Sequence, residues 1–222
     1  YEIYQCDWSS DVCSSDLSVD PSKPTVVAAF YPLAYAAQRI GGDGVTVVNL
    51  TPPGVEPHDL ELSATQVAQI AEADLVLYVP GFQRALDEAV ALQAPDRALD
   101  VTEGLRLLNG PDGATDPHVW LDPKAMTAVG SAVASRLAEV PESNAASIAA
   151  GATSLASDLE ALDAEYSAAL APCRIRDLVV SHEAFGYLAA AYGMTQIGIS
   201  GLSPDAEPSP ARIKEVADLV KR

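Results

Sequence analysis

The chain has 222 residues, 49% of them hydrophobic, enough for one large or two modest domains with a real core. Its 13 Lys and Arg face 31 Asp and Glu, a formal charge of −18, which disfavours nucleic acid and anionic membrane as partners and suits solubility or a mild attraction for cations. No apolar run approaches the length needed to span a bilayer.

Residues 1–17, YEIYQCDWSSDVCSSDL, have neither helical nor strand periodicity and no positive side chain. They resemble the translation of a short-read sequencing adapter: residues 7–17 follow one reading frame of it, and Tyr1-Glu2-Ile3 the stretch before the index. A natural acidic leader is the alternative. The segment is excluded from fold reasoning, as a fusion scar would be. With it go Cys6 and Cys13, whose spacing otherwise invites a disulfide or a metal site, and four acids, so that −18 becomes −14. Cys173 is the cysteine that remains. The chain reads as a fragment open at both ends. No signal peptide or lipid-anchor cysteine is legible at its start, and Lys221-Arg222 falls inside a helical pattern.

From residue 25 onward, strands and helices alternate. Residues 25–30 are apolar and β-branched and predict a strand; residues 31–40 predict a helix with Pro32 in its first turn and Gly41-Gly42 as its stop. A second strand is expected over 45–50, broken by Thr51-Pro52-Pro53-Gly54. Ser63-Ala64-Thr65-Gln66 is a capping-box pattern that opens a short helix. Residues 75–79 predict a strand, 82–92 a helix, 98–101 a short strand and 123–140 a helix. Residues 142–171 hold no proline and space Leu155, Leu159, Leu162, Tyr166 and Leu170 at helical intervals, which predicts one helix of about 40 Å or more. Strands at 177–180 and 195–199, a helix at 185–192 and a last helix behind Ser209-Pro210 follow. The expectation is an α/β protein of two lobes, each a parallel sheet flanked by helices, joined by one long helix, with the carboxyl-terminal lobe incomplete. Residues 18–141 would form the first lobe, 142–172 the linking helix and 173–222 part of the second.

The three histidines each sit in a short motif: Glu56-Pro57-His58-Asp59, Asp116-Pro117-His118-Val119-Trp120-Leu121-Asp122-Pro123 and Ser181-His182-Glu183-Ala184-Phe185-Gly186-Tyr187. A lone His58 beside Pro and Asp could equally be a turn residue. All three, however, fall at a strand end or a helix entrance, where ligands gather in α/β proteins. Neutral imidazole is the commonest metal-binding side chain, and three of them suit zinc, copper or nickel. Nitrogens sharing one zinc should lie roughly 3–4 Å apart, and protons should compete with the metal around pH 6.5. Asp59, Glu56 and Glu183 are each open to three readings: fourth ligand, orienting carboxylate or solvated group. No Gly-rich phosphate loop, nucleophile elbow or His-Glu-x-x-His helix is present.

The chain resembles the zinc-binding, ZnuA-type solute-binding proteins of bacterial ABC importers. The resemblance rests on Phe30-Tyr31-Pro32-Leu33, Gly54-Val55-Glu56-Pro57-His58-Asp59-Leu60-Glu61, Ala73-Asp74-Leu75-Val76, the His118 and His182 motifs and Gly201-Leu202-Ser203-Pro204. It implies that His58, His118 and His182 are the metal ligands and that Zn2+ is the metal, Mn2+ receptors of this kind tending to carry Glu in place of the third His. It also implies a fourth ligand, Asp or Glu, beyond Arg222, and an ABC permease as partner. The His-rich acidic loop of many zinc members is absent: residues 110–115 are short and contain no His. Cys173 could pair with a cysteine of the missing lobe or be a free buried thiol.

The expected function is therefore a monomeric receptor, periplasmic or extracellular and membrane-anchored, that captures zinc and performs no reaction. Two other readings stay open: a manganese or adhesion-type receptor of the same fold, and a three-His zinc hydrolase with an open fourth position.

Overall fold

Val26, Val27 and Ala28 have no solvent exposure, because the strand that holds them, β1 (Thr25–Ala28), is covered on both faces and both edges. It pairs in parallel with β2 (Thr46–Asn49) on one side and β3 (Leu75–Tyr78) on the other, and β3 pairs with β4 (Ala98–Asp100). The order is β2-β1-β3-β4. Near-continuous apolar runs are what a parallel sheet covered by helices requires. The computed structural model describes residues 22–110, 113–205 and 207–221. Residues 1–17, and the adapter resemblance with them, lie outside this range.

The crossover helices are α1 (Tyr31–Gly41), α2 (Ala64–Glu72) and α3 (Arg84–Gln93). Pro32 lies in the first turn of α1, and Gly42 ends it at φ 54, a conformation that favours glycine. The capping box at α2 is formed in both directions: Ser63 Oγ accepts from Gln66 N–H, and the Gln66 side chain accepts from Ser63 N–H. With the order β2-β1-β3-β4, the chain reverses its direction of travel across the sheet at β1 and β3, and a crevice opens beyond their carboxyl ends.

The helix α4 (Pro123–Leu137) and the long α5 (Ala145–Leu170) pack with α1 into one layer. At 26 residues, α5 is roughly 39 Å long. Ile148, Leu155 and Leu159 are its buried residues. Two glycines allow the close crossings. A Cβ on Gly151 would stand 2.3 Å from the Ile40 carbonyl oxygen, and one on Gly130 of α4 would stand 3.1 Å from a Leu155 methyl. The expected start at residue 142 moves to Ala145, because Glu142 takes a positive φ of 63 and Asn144 caps the helix by accepting from Ser147 N–H. The expected apolar spacing does not stay buried: Leu162 is exposed.

Beyond α5, β5 (Asp177–Val180) pairs in parallel with β6 (Thr195–Gly198), and α6 (Gly186–Ala191) connects them. The final helix, α7 (Pro210–Val220), is capped by Ser209, whose side chain accepts from Arg212 N–H. Cys173 is exposed, which corrects the reading of a buried thiol, and it forms no disulfide among the described residues.

Candidate metal centre

The chain leaving β2 runs over the carboxyl edge of the sheet and makes a single 3₁₀ turn, Pro57–Asp59, which carries His58. A buried Gln83, from the turn between β3 and α3, pins this loop. Its Nε2 donates to the Pro57 carbonyl at 2.8 Å and to Thr51 Oγ1 at 3.2 Å, and Thr51 Oγ1 donates in turn to the Ala29 carbonyl at 2.7 Å. One side chain thus ties the His58 turn to the end of β1. Phe82 presses edge-on against the His58 ring with centroids 4.5 Å apart.

His118 precedes a second 3₁₀ turn, Val119–Leu121, at the entrance to α4. It is 2% exposed. Asp116, equally buried, places Oδ1 2.7 Å from His118 Nδ1 and 3.0 Å from the His118 backbone N–H. A carboxylate accepts from Nδ1–H, so the other ring nitrogen, Nε2, keeps its lone pair for a metal. Carboxylate–histidine pairs of this kind fix ring orientation at zinc sites and make the imidazole a better donor. Trp120, Phe30 and Phe82 form an aromatic floor under the two rings, with centroid distances of 4.6–5.2 Å among them and 5.2 Å from Trp120 to His118.

His182 comes from the end of β5. It meets the other two across the gap between the sheets, its ring centroid 5.8 Å from that of His58 and 5.6 Å from that of His118. The Nε2 atoms of His58 and His118 are 3.3 Å apart, and one nitrogen from each of the three rings fits within a 4.8 Å limit. Two nitrogens bound to a tetrahedral zinc at 2.0–2.1 Å stand about 3.3–3.4 Å apart. The first pair already has that spacing, and the third ring is near enough for a χ rotation to draw its nitrogen in.

The carboxylates singled out in the sequence do not join the cluster among the described residues. Glu56 turns back to accept from the His58 backbone N–H. Asp59 shares a hydrogen bond with Asp205, which holds its carboxyl above the usual range. Glu183 is buried beside His182 without joining the ligand set. The carboxylate that contacts an imidazole is Asp116, two residues before His118 within the same motif. The Asp-x-His spacing was the available signal, since a side chain two residues back can reach both the backbone and the ring of a histidine in a turn.

Burial, then the neighbouring His118, pushes His58 down to about 4, and the same two causes lower His182. Both rings are therefore neutral near pH 7 and can offer a lone pair. The constellation is three imidazoles at the junction of two sheets, one of them fixed by a buried carboxylate, with ring nitrogens close enough to share a small cation.

Over residues 26–222 the chain matches the family described as zinc-uptake complex component A, periplasmic, or ZnuA. It is 34% identical to the zinc-binding lipoprotein AdcA of Streptococcus pneumoniae serotype 4, across 95% of this chain and 45% of that protein, so the chain spans a little under half the length of that relative. Identity to the high-affinity zinc uptake system protein ZnuA of Bacillus subtilis is 29%, across 99% of this chain and 73% of that one. The Zn(II)-bound ZnuA-like domain of S. pneumoniae AdcA superposes with a TM-score of 0.77 at 33% identity, over 90% of this chain and 75% of that structure. A crystal structure of ZnuA superposes with a TM-score of 0.82 at 29% identity, over 90% and 78%. This chain shares its α/β fold, with parallel sheets flanked by helices, with these two structures.

Proposed function

The chain belongs to the zinc-uptake complex component A family, and from that premise we propose that it is the zinc-capturing receptor of a metal importer. The observation that carries this reading is the convergence of three imidazole nitrogens from three separate loops, two of them at the spacing of a zinc tetrahedron. His58, His118 and His182 would hold Zn2+ as cargo, and a carboxylate or a water would complete the four ligands. An all-nitrogen set favours zinc over Mn2+, which suits carboxylate and water oxygen better. The zinc-binding names of the relatives support the same choice.

In this reading residues 18–141 form the first lobe, 142–172 the linking helix and 173–222 part of the second. His58 and His118 then belong to one lobe and His182 to the other, so that the cargo itself bridges them. Glu56 and Asp205 act on the His58 ring electrostatically and add a local attraction for a cation to that of the acidic chain. The receptor works outside the cytoplasmic membrane, periplasmic or extracellular and anchored, as a monomer. It passes zinc to an ABC permease without performing a reaction on it.

Calorimetric titration of the chain with Zn2+ tests the reading. One Zn2+ per chain is expected, with binding lost in His118→Ala and in His182→Ala. A chain that takes up no Zn2+, or variants that bind as well as the parent, would overturn it. Delivery is tested separately, by asking whether cells carrying His118→Ala in the genomic copy lose growth under zinc limitation and regain it with added zinc.

A further inference from the structure

Residues 108–110 and 114–116 pair antiparallel, and one hydrogen bond of the pairing is replaced by a side chain from elsewhere. Gly110 N–H donates to the Ala114 carbonyl at 2.8 Å, Asn109 and Thr115 form a bridge, and Asp116 N–H donates to the Leu108 carbonyl at 2.8 Å. In this register Leu108 and Asp116 are a hydrogen-bonded pair, and such a pair exchanges two backbone bonds. The second, from Leu108 N–H to the Asp116 carbonyl, is not made directly. The hydroxyl of Tyr187 sits between the two groups: Leu108 N–H donates to it at 2.9 Å, and it donates to the Asp116 carbonyl at 2.9 Å. Tyr187 is 6% exposed and lies in α6, a few residues after His182. Burial pushes the phenol above its ordinary value, so the hydroxyl keeps the proton it donates.

The residue wedged open in this way is the one that orients His118. Asp116 has its backbone N–H on Leu108, its carbonyl on Tyr187 and its Oδ1 on His118. Its Oδ2 is hemmed in by α6 as well: a Cβ on Gly186 would stand 2.6 Å from it. The helix that follows His182 therefore touches Asp116 through both its backbone and its carboxylate. Without the hydroxyl, Leu108 N–H and the Asp116 carbonyl are free to close on each other as an ordinary pair, which rotates Asp116 and draws its carboxylate off the ring.

We propose that Tyr187 is a positioning residue for metal binding: its hydroxyl, standing in for a backbone hydrogen bond of the 108/116 pair, fixes the Asp116 carboxylate on His118 and sets the His182 segment in register with it. The inference rests on the metal-site reading above and adds to it the element that couples the two sides of the site.

The test compares the 222-residue chain with Tyr187→Phe, Asp116→Asn and the double variant. In the metal-free chain, the NMR signal of His118 Nδ1–H reports the contact with Asp116. Tyr187→Phe should shift or broaden that signal and weaken Zn2+ binding about tenfold, as loss of an outer partner of a ligand does. In the Asp116→Asn background the same change should weaken binding no further, because the tyrosine acts through the aspartate. An unmoved Nδ1–H signal in Tyr187→Phe, or an affinity loss that adds in full to that of Asp116→Asn, would overturn the proposal and leave the tyrosine a packing residue. If the unmodified chain binds no Zn2+, the metal-site reading fails, while the Nδ1–H comparison still decides the role of Tyr187. Should Tyr187→Phe not fold, 3-fluorotyrosine at 187 keeps the ring and strengthens the donor: a moved Nδ1–H signal supports the proposal, and an unmoved one overturns it.

Discussion

The Nε2 atoms of His58 and His118 stand 3.3 Å apart, although 60 positions separate them in the chain. Since Asp116 occupies Nδ1 of His118, the two Nε2 atoms can coexist at this distance when His58 donates a proton to His118 or when a cation lies between them. Without a cation, one N–H···N contact joins the two rings, and a metal bound by both Nε2 atoms would have to replace it.

Asp116→Asn should weaken Zn2+ binding by roughly 10–100-fold, because an amide neither accepts from Nδ1–H as strongly nor enriches the ring as a donor. The fold should survive, since an amide has the same shape and its oxygen can still accept from the His118 backbone N–H. Competition titration against a chromophoric chelator measures the affinity, and circular dichroism checks the fold. An affinity equal to the parent's would mean that Asp116 is a structural turn residue only.

Zinc affinity should hold to lower pH than an ordinary histidine site allows. A free imidazole competes for protons around 6.5, but burial lowers His58 to about 4 and lowers His182 as well, so both compete with the metal less than a free imidazole does. The same shift sets the stability of the metal-free chain. Between about 6.5 and 4 the unfolded state binds more protons at His58 than the folded one, and His182 acts in the same direction, so stability falls as pH drops through that window. Melting temperature against pH, with and without Zn2+, reads both effects. A metal-free melting temperature that did not fall between pH 6.5 and 4.5 would contradict the assignment.

Gly151→Ala should destabilise the chain by about 1–3 kcal/mol, the usual range for overpacking. Its Cβ would meet two backbone oxygens, 2.3 Å from that of Ile40 and 2.8 Å from that of Arg39, and α5 would have to lift off α1. Gly44→Ala, where an added Cβ meets nothing within 4 Å, is the matched control. Urea unfolding of the pair separates crowding at the helix crossing from a general intolerance of alanine in this region.

Ser63→Ala should cost about 1 kcal/mol through loss of the capping box at α2, and leave zinc affinity unchanged. The zinc-loaded parent should not accelerate hydrolysis of an activated ester above free zinc. Sustained turnover that disappeared in His118→Ala would instead favour the hydrolase reading.

Local signals made most of the fold legible. Pro32 in the first turn of α1, the Ser63–Gln66 box and Ser209-Pro210 each mark a helix start through bonds within a few residues, and each lies where the sequence places it. The three histidines were legible for the same reason, as each falls at the end of a recognisable element. What stayed hidden depends on residues far apart. Gln83 reaches Pro57 across 26 positions, and Tyr187 reaches Asp116 across 71. Neither the buried amide nor the phenol carries a pattern of its own, so only the packed chain shows what they hold. Leu162 failed for the opposite reason: helical spacing records which face a residue shares, not whether anything covers that face.

The chain has two tryptophans, Trp8 and Trp120, and the second lies with its ring centroid 5.2 Å from that of His118, tilted 59° to it. An indole that close to a candidate ligand is a built-in optical gauge. Zn2+, which has a closed d shell, should alter Trp120 emission only by displacing or reorienting the imidazole, whereas Cu2+ or Co2+ in the same seat should quench it through its open shell. The occupant could then be told apart by the colour and lifetime of the protein's own light, with no dye attached.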